Sequence, residues 1–295
     1  MKIDRTSFES AGLRLDASFY LPDGGGGDDP ARPFILSCSG FQGLNNIHPA
    51  RFARTLTARG HACFGFDYRG FAASQGDRGR VLLEDQVEDI VAAARFVRSR
   101  PEAAGRPLVV IGWGMAGGLI LEAARELPDL AGLVCLNGFY DAERVQRAVR
   151  GEQGWRAFLG WLEEKRIARA KGTLERVDPF DIYPLDEVTR GYVDGVLRKN
   201  PDFGVDVTLE FADSLLRFRP ERNLAHLART PIFIGHGSQN ALHPPEEAVA
   251  LHRAYPGAAT LHWVEGGGHT EWMLDEDPKY QALMGAVAGW IEKLG

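Results

Sequence analysis

The stretch Ile111-Gly-Trp-Gly-Met-Ala-Gly-Gly118, which follows the apolar run begun at Pro107, decides how the chain is to be read. Taken as Gly112-x-Gly114-x-x-Gly117, it fits the glycine pattern that lets a helix N-terminus hold a dinucleotide pyrophosphate. Taken as a sharp strand-to-helix turn, it has glycine at its centre, Gly114, where such turns present a nucleophilic side chain. The dinucleotide reading wants an acid at the end of the next strand, about 20 residues on. That strand ends Val134-Cys-Leu-Asn-Gly138, and the first carboxylate after it is Asp141. The dinucleotide pattern also usually opens its domain, whereas here several strands come first.

Working outward, residues 3–9 and 13–21 read as a hairpin around Gly12, and Gly24 to Pro30 as a turn. Phe34 to Cys38 is a short apolar strand followed by the loop Ser39-Gly-Phe-Gln-Gly43. A helix at 48–59, a strand at 62–67 and a helix at 82–99 follow, the last marked by Leu83, Val87, Ile90, Val91, Ala94 and Val97 at helical spacing. Strand 107–112, helix 115–127 and strand 132–136 continue the alternation. It breaks over 141–220, a mostly helical, aromatic and charged block. It then resumes with strand 231–235, helix 245–254, strand 259–264 and helix 278–293. Such alternation predicts a mainly parallel sheet covered on both faces. The divisions are a core at 1–140, an inserted helical cap at 141–220, and the rest of the core at 221–295. The cap is expected to roof the carboxyl ends of the strands, where open sheets bind ligands.

Four further motifs, in order, resemble the α/β-hydrolase superfamily, and within it the dienelactone-hydrolase-like and acyl-peptidase-like branch. Ser39 to Gly43 stands where the family has its oxyanion loop. Asp67-Tyr-Arg-Gly-Phe71, with Ser74 and Gly76, is similar to its D-x-R-G-x-G-x-S segment. Pro231 to Asn240, followed by Pro244, resembles the strand that delivers the catalytic acid, and Gly266-Gly-Gly-His269 the loop that delivers the histidine. The resemblance implies an α/β-hydrolase fold with a mostly parallel, eight-strand-type sheet and an inserted helical cap. It implies a triad at Gly114, Asn240 and His269, and an oxyanion hole made by the amides of Phe41 and Met115.

Two of these positions depart from the family. Gly114 replaces the serine, so serine attack and an acyl-enzyme are closed to this chain. Asn240 replaces the aspartate; it can orient His269 but carries no charge to stabilise imidazolium. Asp141 is a candidate for a relocated acid, or simply the N-cap of the first cap helix. His243 is a candidate pocket residue, and Cys38 a candidate substitute nucleophile, though a buried structural thiol is the simpler reading. An imidazole base beside an oxyanion hole suits proton abstraction next to a carbonyl and expulsion of a leaving group such as a carboxylate. By resemblance, the substrate is an acylated or polyketide-like small molecule of bacterial secondary metabolism. Two alternatives stand beside this: hydrolysis of an ester, thioester or lactone by His-activated water or by an enzyme whose serine has been mutated, and a ligand-binding protein without catalysis.

Composition narrows the partners. A net charge of −6 without a dense basic block argues against nucleic acid. No apolar run reaches the roughly 20 residues of a membrane span, and no secretory segment opens the chain. Three cysteines, Cys38, Cys63 and Cys135, lie in apolar runs without metal-ligand spacing, which suits reduced thiols in the cytoplasm. Neither a metal nor another cofactor is expected; a homodimer is compatible with the chain.

Overall fold

Eight strands form one sheet in the order β1-β2-β4-β3-β5-β6-β7-β8. The computed structural model describes residues 1–23, 29–173 and 175–294. Residues 24–28 of the turn expected at Gly24 to Pro30 lie outside them. The first two strands, β1 (Lys2–Ser10) and β2 (Leu13–Leu21), are an antiparallel hairpin, and β2 runs antiparallel to β4 (Cys63–Phe66). The remaining pairings are parallel, through β3 (Phe34–Cys38), β5 (Leu108–Trp113), β6 (Leu130–Leu136), β7 (Ile232–Gly237) and β8 (Ala259–Val264). This is the α/β-hydrolase fold.

Two-sided burial explains why the central strands read as unbroken apolar runs. Every residue of β5 is buried. Val109, Ile111 and Trp113 pack on one face with α1 (His48–Thr57) and α9 (Pro278–Ile291); Leu108 and Val110 pack on the other with α2 (Leu83–Arg98), α3 (Met115–Ala123) and α8 (Pro245–Ala254). Helix α3 stops at Ala123 and gives way to a tighter turn, short of the expected end at residue 127. Pro128 is the reason: it pushes Leu127 out of helical geometry, to φ −119° and ψ 75°.

The chain leaves β3 toward β4 on one side and returns to β5 on the other, so the strand order reverses at β3. The crevice beyond the carboxyl ends at such a reversal is where open α/β sheets hold ligands. Between β6 and β7 the chain forms α4 (Ala142–Ala170), α5 (Pro179–Ile182), α6 (Glu187–Gly195) and α7 (Glu210–Arg217), with an antiparallel bridge between Val177 and Val207. Among the described residues no helix is long and apolar enough to cross a membrane.

The Asp67-x-Arg69 segment holds the hairpin to the helical layer. Asp89 on α2 is fully buried; it accepts hydrogen bonds from Arg69 Nε (2.9 Å), the Arg69 backbone amide (3.0 Å) and the Ser10 hydroxyl (2.7 Å). A buried carboxylate stripped of its cation is costly, by about 3–5 kcal/mol, whereas replacing both partners by apolar groups is often neutral. Arg69→Leu should therefore lower unfolding stability by about that amount, and Arg69→Leu with Asp89→Leu should recover most of it, as read by urea denaturation.

Candidate active site

Gly114 sits between β5 and α3 with φ 56° and ψ −123°, a backbone conformation that side-chain-bearing residues adopt only under strain. Its amide donates to the Leu136 carbonyl (2.8 Å), and its own carbonyl accepts from Gly117 N–H (2.9 Å). The turn closes because its surroundings lack bulk. A Cβ on Gly112 would lie 2.3 Å from the Ala116 carbonyl oxygen, and one on Gly117 would lie 3.0 Å from Gly138 Cα. At Gly114 itself a Cβ would meet only the His269 ring, with Nε2 at 3.7 Å. The imidazole therefore faces the place from which a serine side chain would project.

His269 hangs on the loop after β8 and is almost fully buried. The Asn137 carboxamide, at the end of β6, donates to the His269 carbonyl (2.6 Å) and accepts from the Gly237 amide (2.8 Å). The loop can approach because Gly237 has no side chain: a Cβ there would lie 2.3 Å from the Gly268 carbonyl oxygen. The His269 Nδ1 atom lies 3.2 Å from Asn240 Nδ2, and Asn240 Oδ1 accepts the His243 backbone amide (2.9 Å). His243 packs edge-on against His269, with ring centroids 4.6 Å apart. Burial, with the neighbouring His243, His236 and His48, holds the His269 imidazole well below its ordinary pKa, so it is neutral at pH 7. Burial likewise depresses His236 to about 4 and His243 to about 3.

Phe41 and Met115 border the same cavity, and among the described residues the backbone amide of neither donates to another protein group. Both are held in place. Gln86 Nε2 donates to the Phe41 carbonyl (2.9 Å), and the Phe41 ring stacks on Phe211 of α7 at 5.0 Å. Met115 opens α3, where unpaired amides and the helix dipole favour negative charge. The cavity is roofed by Phe180, Tyr183, Leu185, Val193, Leu197 and Phe203, from the segment between β6 and β7. Among the described residues no Asp, Glu, Lys or Arg lines it.

The structure thus brings Gly114, His269, Asn240, Phe41 and Met115 to one place, with His243 supporting His269 from behind. It does not bring Asp141 or Cys38 there. The Asp141 carboxylate caps α4 by accepting from Arg144 N–H (3.1 Å), and Arg222 reaches its other oxygen (3.4 Å). The Cys38 thiol is wholly buried in the apolar core, where desolvation pushes its pKa up, away from a reactive thiolate. Two features of the site went unremarked in the sequence, where Tyr183 counts only among the aromatic residues of the 141–220 block. His48 borders the cavity and stacks on Trp113 at 5.0 Å; burial and Arg51 pull its pKa down to about 3. Tyr183 donates its hydroxyl to His243 Nε2 from the roof. The position of His48, opening a helix just after the oxyanion loop, was a usable signal for the first. Nothing in the sequence pairs Tyr183 with His243.

The fold and this cleft define a member of the α/β-hydrolases. The model of the serine aminopeptidase S33 family matches residues 30–277, and the chain belongs to that family. It is 23% identical over 284 residues to a 31.7 kDa protein of Escherichia coli from the traX-finO intergenic region, covering 96% of both chains. It is 30% identical over 135 residues to the quorum-quenching protein AidA of Acinetobacter baumannii, covering 45% of this chain and 43% of the relative. Among solved structures it superposes on DcsB in complex with its substrate analogue, with a TM-score of 0.81, 19% identity and full coverage of both chains. It also superposes on the α/β hydrolase GrgF from Penicillium sp. sh18, with a TM-score of 0.78, 15% identity and 99% coverage of each.

The turn's two glycines should respond differently to a methyl group. Gly114→Ala has room but a strained φ, costing about 1–3 kcal/mol. Gly112→Ala must displace backbone and should cost more. Urea midpoints of the two variants in the reverse order would contradict this account of how the turn closes.

Proposed function

We propose that the protein is an α/β-hydrolase-fold enzyme that works without a covalent intermediate, eliminating a carboxylate from an acyloxy-bearing carbonyl compound with the assistance of His269. The observation that carries this reading is the position of the His269 ring, 3.7 Å from where a Gly114 Cβ would stand, beside two unengaged amides. That arrangement keeps the means to stabilise negative charge on oxygen and lacks the group that would be acylated. Preorganised donors of this kind are each worth about 3–4 kcal/mol to a transition state that develops such charge.

The substrate reacts as its enolate, its α-proton having passed to water before binding, and the enolate oxygen is held by the Met115 and Phe41 amides. The electron pair on the adjacent carbon forms the new double bond as the bond from the β-carbon to the acyloxy oxygen breaks. A carboxylate departs into the space beside Gly114 and His269. The apolar roof and the lack of a charged side chain in the lining favour an aliphatic or aromatic acyl compound. They disfavour a peptide with a free ammonium group, which would need a buried carboxylate partner. A polyketide-like substrate in bacterial secondary metabolism fits this chemistry, as does action on one molecule at a time without a metal.

Oxygen-18 water separates elimination from hydrolysis. Elimination cuts the alkyl–oxygen bond, so the released carboxylate should carry no label and an alkene should appear by NMR. Acyl–oxygen hydrolysis would put one label in the carboxylate, and a pure binding protein would release nothing. Intact mass should show no adduct during turnover, and His269→Ala should reduce the rate at least about 10²-fold.

Restoring the serine tests the same reading from the other side. Gly114→Ser alone should yield little aryl-ester hydrolysis, because an amide in place of the triad carboxylate costs roughly 10⁴-fold in rate. With Asn240→Asp added, hydrolysis should exceed the product of the single effects, since the two residues act as a unit. Ordinary esterase rates from Gly114→Ser alone would point instead to a plain hydrolase lacking its nucleophile.

A further inference from the structure

The hydrogen bonds around Asn240 determine which nitrogen of His269 carries the proton. A backbone N–H can only donate, and the buried His243 amide lies 2.9 Å from the Asn240 side chain. The atom facing it must be the carboxamide oxygen. Turning the amide over would set two donors against each other and orphan a buried N–H, at a cost of about 1–3 kcal/mol. The Asn240 NH₂ group therefore points the other way, toward His269 Nδ1 at 3.2 Å and His236 Nε2 at 3.4 Å.

The second of these neighbours is closed to it. His236 Nε2 lies 2.9 Å from the His243 carbonyl, which only accepts, so this nitrogen carries its own hydrogen and has no lone pair to offer. His243 does not change the outcome. Its Nδ1 donates to the Asn137 carbonyl (2.5 Å), and its Nε2 accepts from the Tyr183 hydroxyl. Asn240 Nδ2–H thus donates to His269 Nδ1, which must present a lone pair. A neutral imidazole has one N–H, and it is left on Nε2.

We infer that Asn240 is a positioning residue that fixes His269 as the Nε2–H tautomer, so that His269 offers a hydrogen-bond donor, not a base, to a substrate already carrying its own carbanion. This rests on the elimination reading for its substrate class, and on hydrogen-bond geometry alone for the tautomer. In a serine triad a carboxylate accepts Nδ1–H and leaves Nε2 free to take a proton. The carboxamide reverses both ends of the ring. Three donors then converge on the cavity: His269 Nε2–H and the amides of Phe41 and Met115. A neutral imidazole does not readily surrender its last N–H, but as an electrophile it polarises an oxygen.

The substrate consistent with this is a carbon acid of the 1,3-dicarbonyl type, ionised in water before it binds, with an acyloxy group on the neighbouring carbon. Its enolate electron pair forms the C=C bond while the C–O bond breaks. The carboxylate leaves with its charge, stabilised by Nε2–H, and no proton passes to or from His269. This assigns His269 a donor's part in place of the base expected from sequence.

Histidine-ring ¹⁵N labelling of the full chain tests the inference directly. Long-range ¹H–¹⁵N correlation, with His269 assigned by its loss in His269→Gln, should show a protonated Nε2 and a bare Nδ1. In Asn240→Asp the carboxylate can accept from both His243 N–H and His269 Nδ1, so the proton should move to Nδ1. Elimination should then slow by about 10²-fold, the usual cost of one lost oxyanion donor. A wild-type spectrum with the proton on Nδ1 overturns the inference, whether or not the aspartate variant folds. Solvent label in the carboxylate would overturn the elimination reading while leaving the tautomer assignment standing.

Discussion

The backbone at Gly114, at φ 56° and ψ −123°, is the constraint from which the rest of the cleft follows. A turn this tight survives only where Gly112 and Gly117 let the helix press against the sheet. Holding it costs the chain its option of bulk at these positions. What the turn delivers is Met115 at the head of α3, lining the same cavity as Phe41.

Much of this was legible in the sequence. Helix α8 and strand β8 fall where apolar spacing puts them, and the interior strands were readable because two-sided burial makes them continuous apolar runs. Gly114, Asn240 and His269 could be placed because each sits in a loop whose glycines and flanking strand are local in sequence. His48 offered only its position after the Ser39–Gly43 loop as a signal, because its stacking on Trp113, more than sixty residues away, is not encoded locally. Tyr183 escaped as a partner of His243 for a related reason. Its partner His243 lies across the cavity, and no periodicity encodes a contact between a roof segment and a core loop.

The direction of the His269 proton was illegible for a different reason. Asparagine and aspartate differ by one group, and from sequence an amide reads as a weakened acid. Only the fixed donor at His243 N–H shows that the amide faces the imidazole with its nitrogen. The distinction is between losing a charge and reversing a hydrogen bond, and the two have different chemical consequences.

Those consequences join Gly114 and Asn240 into one physical arrangement. In a serine triad the carboxylate is useful because the imidazole becomes a cation when it takes the serine proton. Without a serine there is no such proton. A carboxylate at position 240, where Asn240 is 1% exposed and the nearest rings are neutral histidines, would be a buried charge facing no cation. Desolvation would make it expensive, by several kcal/mol. An amide of the same shape keeps the bond to His243, meets His269 as a donor, and leaves the cluster uncharged. With glycine at 114 there is no proton transfer for an acid at 240 to support, and the electrostatics of the site favour the carboxamide found there.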